Sequence, residues 1–301
     1  MRSACSESAP QTGCDMDFVQ VDVFADQAFE GNPLAVFPQA AALTGTQMQS
    51  IAREMNLSET SFVTASSQDS YDVRIFTPQE ELRFAGHPTI GTAWVLSDLG
   101  LVEGELLTQR SRVGDTEVTL KGEDIWFERK GTSDEDLQGR DSDVDARIAR
   151  SLGLETAAIG LEARELGRPG RLLPAFADAA LRFLIVPLRD VDALASCRPH
   201  PTALAELADF GAYCFTAVAA GRLRARGFFP SVGVEEDPAT GSACASLGLY
   251  LAHRLGAIRV EVNQGVEIRR PSRLLMEAER GRVRVGGRCH LVMTGRMERI
   301  P

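Results

Sequence analysis

Positive charge is scarce in this chain of 301 residues: 32 Lys and Arg stand against 42 Asp and Glu, a net charge of −10. A nucleic-acid partner requires a basic stripe, and none is present. A small anionic substrate stays possible, because backbone N–H groups make a pocket locally positive. No run of 18 apolar residues occurs, so no transmembrane helix and no membrane partner are expected. The first 15 residues, MRSACSESAPQTGCD, lack the apolar stretch of a signal peptide. A flexible tail is expected over 1–15, with Met16 as an alternative start. Histidines are few (His87, His200, His253 and His290) and form no H-x-x-x-H pair, so no metal site is expected. The six cysteines contain no C-x-x-C pair, and a chain of this length does not need disulfide staples. They read as reduced thiols of a cytoplasmic protein.

What is present suits a large core: 44% of residues are hydrophobic and 25% charged. The length suggests two domains. DFVQVDVF (17–24) alternates as a strand, with Val19, Val21 and Val23 on one face. EGNPLAVF reads as a Gly-Asn-Pro turn feeding a short strand. Thr44 and Gln47 have capping-box spacing, and Met48, Ile51, Ala52 and Met55 share one helical face. YDVRIF, EVTLK, IWFER, IRVEV, RLLMEA, RVRVGG and HLVMTGRM read as further strands, and ALRFLIVPL and YCFTAV as buried ones. GTSDEDLQGRDSDVD (131–145) is the acidic linker or a solvated loop.

Two stretches repeat. HPTIGTA (87–93) and DPATGSA (237–243) match at Pro88/Pro238, Gly91/Gly241 and Ala93/Ala243, with Thr92/Ser242 a near match. Each proline is expected to open a helix, where its missing N–H costs nothing. Gly100 and Gly256 suit the two helix ends. Both helices are small or apolar all round, the mark of burial on every side. The pattern predicts an α+β fold of two similar domains, each a bent sheet around one central helix. If the domains face each other, both helix N-termini point into the cleft and make it an anion site.

His87 and Asp237 occupy equivalent positions just before the two helices. Each alone reads as a helix cap, Asp237 more strongly. A duplicated cap would keep a cap residue, so the switch from Asp to His suggests two separate polar tasks lining the cleft. Glu59 alone reads as a surface carboxylate. Its alternative is a general base whose pKa a dry cleft raises. Thr240 and Ser242 can donate to a bound carboxylate, or simply pack. Cys244 reads as a buried thiol. Arg222, Arg224 and Arg226 alternate as on an exposed strand and receive no catalytic role.

At these residues the chain resembles the PhzF-like family, named for an isomerase of phenazine biosynthesis. The resemblance rests on GNPLAVF (31–37), NLSETSFV (56–63), FTPQEELRFAGHPTIGTA (76–93), GVEEDPATGSA (233–243) and NQGVEIRRPS (263–272). It implies the diaminopimelate-epimerase-like fold, two pseudo-symmetric domains with the site between them. The domains are then 16–130 plus 288–301, where the chain end returns to complete the first, and 131–287. It also implies an isomerase free of cofactor and metal, commonly a homodimer. The name-giving enzyme acts on trans-2,3-dihydro-3-hydroxyanthranilate. The family's glutamate, here Glu59, moves a proton between carbons; its His, Asp and Ser, here His87, Asp237 and Ser242, bind and orient the substrate.

Substrate contacts are further expected from Ser58, Gly86, Thr240 and Gly241. Related epimerases carry a cysteine at each helix start, where this chain has His87 and Asp237, so a two-thiol racemisation is disfavoured. Arg83 and Arg269 depart from the family's usual proline and glycine at the pocket rim. An amino-acid epimerase or racemase, and a non-catalytic binder of small acids, stay open as alternatives.

Overall fold

The computed structural model describes residues 15–137, 141 and 143–301. Of the expected tail, only Asp15 lies within the described residues. The chain begins with β1 (Met16–Val23), β2 (Asn32–Phe37), α1 (Gly45–Met55), β3 (Glu59–Ser66), β4 (Ser70–Phe76), β5 (Glu81–Leu82) and α2 (Gly86–Asp98). β6 (Leu106–Ser111), β7 (Gly114–Lys121) and β8 (Asp124–Lys130) follow. Next come β9 (Thr132–Ser133), α3 (Val144–Ser151), β10 (Leu161–Glu162), β11 (Arg171–Leu172), β12 (Ala175–Asp178) and β13 (Arg182–Pro187). The remainder is α4 (Val191–Ala195), α5 (Pro201–Ala205), β14 (Ala212–Ala219), β15 (Arg222–Phe229), β16 (Val234–Asp237), α6 (Gly241–Leu255), β17 (Ile258–Gln264), β18 (Ser272–Glu279), β19 (Arg282–Gly287) and β20 (Cys289–Met297).

One succession of pairings occurs twice. β1–β2 is antiparallel, β2–β3 parallel, β3–β4 antiparallel, β4–β6 parallel, then β6–β7 and β7–β8 antiparallel. β12–β13, β13–β14, β14–β15, β15–β17, β17–β18 and β18–β19 follow the same order of senses. An antiparallel pair, β8–β19, joins the two ladders. Each first strand also gains a partner from elsewhere in the chain: β20 lies antiparallel to β1, and β9 to β12.

The local signals behave as their chemistry dictates. Thr44 and Gln47 form the reciprocal capping box of α1, which buries Met48, Ile51 and Ala52. α2 and α6 are buried on nearly all sides, as their uniform apolarity requires, and share one core with both ladders.

Three expectations need correction. Neither helix opens at its proline: α2 starts one residue before His87, and α6 starts at Gly241, four residues after Asp237. Residues Thr132 and Ser133 of the expected linker form β9, and Arg254 of α6 binds Asp136 Oδ1 at 2.6 Å and Ser133 Oγ at 2.9 Å. Residues 138–140 and 142 of that stretch lie outside the described residues. Arg226 is buried, not exposed. It donates to both Glu236 oxygens at 2.9 and 2.7 Å and to the carbonyls of Leu194 and Cys197. A guanidinium has five donors, and this one is enclosed by acceptors, so it can sit in the interior.

Candidate active site

The N-termini of α2 and α6 meet. A Cβ on Gly86 would stand 2.5 Å from Ser242 N and 2.6 Å from Gly241 C, so only glycine fits there. Neither helix carries an acidic residue in its first turn. In α6 the Cys244 amide reaches Thr240 O at 2.9 Å, which leaves the amides of Gly241, Ser242 and Ala243 outside the helical ladder. These amides and the aligned peptide dipoles favour an anion.

A polar cluster is built beside this junction. Asp237 ends β16, and its Oδ1 accepts from Asn32 Nδ2 at 2.8 Å and from Ser58 Oγ at 3.1 Å. Its Oδ2 accepts from Thr240 Oγ1 at 2.6 Å. Gln264 ties the same loop down, donating to Asp237 O at 2.8 Å and to Thr240 Oγ1 at 3.0 Å. Glu59 opens β3, directly after the turn at Asn56, whose backbone is left-handed. Its Oε2 lies 3.2 Å from His87 Nδ1, close enough for an ion pair but without an aligned hydrogen bond from the ring.

Glu59, Asp237, Thr240 and Ser242 line a cavity otherwise walled by Leu82, Phe84, Ala85, Leu181, Phe183, Phe210, Phe229, Val232 and Val234. Among the described residues no basic side chain lines it. Its volume is about 40 Å³, whereas small-molecule pockets hold roughly 300–1,000 Å³. The walls come from both ladders, and a substrate enters only if they part.

This burial sets the protonation states. Desolvation raises the Glu59 carboxyl well above its usual range, and the nearby Asp237 charge adds to that. Desolvation also lifts Asp237, to about 6, against the three hydrogen bonds that favour its charged form. His87 is pushed down to about 3 by burial. Both shifts favour the uncharged forms of Glu59 and His87 over an ion pair.

The structure brings Glu59, His87, Asp237, Ser58, Gly86, Thr240, Gly241 and Ser242 to one place, with different stations. Glu59, Asp237, Thr240 and Ser242 face the cavity. His87 was expected to line it but lies behind Glu59, inside the first turn of α2. Neither His87 nor Asp237 caps a helix: Ala85 and Thr240 hold the cap positions, and neither makes a side-chain cap bond. The Thr240 hydroxyl already donates to Asp237 and is not free for a ligand. Cys244 is buried, and desolvation raises its thiol pKa. Among the described residues no three His, Cys, Asp or Glu side chains are placed to hold a metal ion.

Two residues escaped the sequence reading. Asn32 starts β2 and touches His87, Asp237 and Ala239 O; Gln264 ends β17. Asn32 looked like part of a turn. The available signal was an amide beside an apolar strand, since a buried amide must find partners.

Comparison with known proteins follows the same lines. The family model described as "Phenazine biosynthesis-like protein" matches residues 21–295. An uncharacterized isomerase of Pasteurella multocida is 37% identical over 92% of this chain and 92% of its own length. The trans-2,3-dihydro-3-hydroxyanthranilate isomerase of Pseudomonas aeruginosa is 37% identical over 87% of this chain and 90% of its own. The crystal structure of a Bacillus anthracis phenazine biosynthesis protein of the PhzF family superposes with a TM-score of 0.79 at 24% identity, covering 94% of this chain and 99% of that one.

Proposed function

The chain belongs to the phenazine biosynthesis-like family, of the diaminopimelate-epimerase-like fold, and on that premise we propose that it is an isomerase moving a proton between two carbons of a small carboxylate-bearing substrate. The two ladders are its two pseudo-symmetric domains, 16–130 with 288–301, and 131–287, and the cavity lies between them. The substrate carboxylate docks on the free amides at the start of α6, beside Ser242. Its apolar, unsaturated part lies against Phe84, Phe183, Phe210 and Phe229.

One observation carries this reading. Glu59 is a desolvated carboxyl, its pKa raised by burial, on the wall of an apolar cavity, with no second uncommitted acid or base among the residues lining it. Asp237, the other carboxyl there, already accepts three hydrogen bonds. A single exchanging group takes a proton from one carbon and returns it to another on the same face. That is a shift, whereas stereoinversion needs a group on each face. An environment that raises a carboxyl pKa brings it towards the working pH, where general acid–base catalysis is most effective.

The test is incubation with trans-2,3-dihydro-3-hydroxyanthranilate in deuterated water, followed by NMR, with Glu59→Gln alongside. Rearranged product from the parent and none from the variant supports the assignment. Equal turnover in the two removes Glu59 from the mechanism. Inversion with solvent exchange at the α-carbon would mark an epimerase, and binding without turnover across a panel of small carboxylates a binding protein.

A further inference from the structure

Asn32 reaches from the first ladder to the second. Its Nδ2 lies 2.8 Å from Asp237 Oδ1, 2.9 Å from Ala239 O and 3.3 Å from His87 Nδ1. The carbonyl of Ala239 can only accept, and Asp237 Oδ1 already accepts from Ser58. The amide orientation is therefore fixed, with nitrogen towards both oxygens. Nδ2 carries two hydrogens and offers no lone pair. A hydrogen on His87 Nδ1 would face those hydrogens across 3.3 Å. The second neighbour of Nδ1 agrees: Glu59 Oε2 is 3.2 Å away, yet not where a ring N–H would point for a hydrogen bond. A neutral imidazole has one proton, and Nε2, which is buried and has no hydrogen-bond partner among the described residues, is the position left for it, as an unpaired N–H.

We infer that Asn32 is a positioning residue that holds His87 as its Nε2–H tautomer, so that the ring nitrogen 3.2 Å from Glu59 Oε2 carries no proton and does not stabilise a carboxylate there. The tautomer stands on the contacts alone; its use in catalysis rests on the proposed function. A proton on Nδ1 would stabilise a charged Glu59 across 3.2 Å, whereas an unprotonated nitrogen disfavours it, so the tautomer acts in the same direction as burial and helps the Glu59 carboxyl keep the proton it exchanges with the substrate.

The experiment is a long-range ¹⁵N–¹H correlation spectrum of the ¹⁵N-labelled protein. His87 is one of four histidines, and His87→Gln identifies its signals. The expected pattern is an unprotonated Nδ1 and a protonated Nε2. Protonation of Nδ1 in the parent overturns the inference. Asn32→Asp replaces the donor by an acceptor and is expected to move the proton to Nδ1. Asn32→Ser, which removes the double donor, is expected to give a mixture. An unchanged Nε2–H pattern in both variants overturns the role of Asn32. If neither variant folds, the parent spectrum decides alone. The expected tautomer in a protein that transfers no proton leaves this inference intact and refutes the proposed function instead.

Discussion

Gly86 and Ser242 approach so closely that the helix starts they belong to share one surface: a Cβ on Gly86 would lie 2.5 Å from the Ser242 amide nitrogen. The obstacle is backbone, which cannot swing aside as a long side chain can. Gly86→Ala is expected to push the two N-termini apart. A displacement of about 1 Å in a catalytic site costs on the order of 100-fold in rate, while overpacking costs about 1–3 kcal/mol of stability. Turnover measured beside urea denaturation separates the two. Full activity in a folded variant would show that the junction tolerates movement.

Glu59→Gln keeps the shape of the wall and removes the exchangeable proton. General acid–base catalysis contributes roughly 10²–10⁴-fold. A rate loss in that range is expected, with ligand affinity within a few-fold of the parent. Calorimetry of a bound carboxylate and deuterium incorporation read the two quantities independently.

Asp237 and His87 impose opposite pH dependences on stability. Asp237 is raised to about 6 from 3.8, so between those values the folded chain holds a proton that the unfolded chain has lost. Its contribution to stability is therefore greatest below about 4 and is lost as pH rises through 6. His87 is lowered to about 3 from 6.5, so the unfolded chain binds the extra proton there, and stability rises with pH across that window. Removing the first effect with Asp237→Asn is expected to steepen the rise of stability between pH 4 and 6. Urea midpoints at three pH values test this; a shallower rise in the variant would refute the assignment.

Arg270 is a clamp on the segment leading to Asn32. It donates to Gly31 O at 3.0 Å, Glu30 O at 2.9 Å and Asp22 Oδ1 at 2.6 Å, and the Asp22 side chain is 2% exposed. Arg270→Leu leaves that carboxylate buried without its cation. The loss is expected to be about 3 kcal/mol, the low end for a broken buried pair because Arg270 is itself partly exposed. Adding Asp22→Asn is expected to recover part of it. Thermal melts of the single and double variants check both statements.

The 40 Å³ cavity sets a kinetic expectation. Ligand binding is expected to be preceded by separation of Leu82 and Phe84 from Phe210, Phe229 and Val232. Amide exchange at residues 79–85 and 229–234 should slow when a small carboxylate binds. Exchange that is indifferent to ligand would place binding elsewhere.

Much of this was legible in residue order. Alternating valines located β1, the Thr44/Gln47 pair located α1, and uniform apolarity marked α2 and α6 as buried helices. The repeated motif brought His87 and Asp237 into view, but it could not fix the helix starts. Proline is tolerated at several positions of a first turn, and the same motif enters helix at Gly86 in one copy and only at Gly241 in the other. Arg226 was misread because alternation along a strand does not say which side is covered; Glu236, ten residues on, decides that. Asn32 was missed because its partners are 55 and 205 residues away in sequence, and no local pattern encodes them.

The strand that completes β1 is β20, the last in the chain. On a ribosome, the first ladder is begun at Met16 and its closing partner, which starts at Cys289, emerges about 270 residues later. At about 5–20 residues per second the interval is on the order of tens of seconds. Throughout it the outer edge of β1 is an unpaired strand rich in valine, the kind of edge that invites pairing with other chains. The ladder that β1 begins is thus closed only when β20 arrives, and deletion of β20 would be felt at β1, far away in sequence.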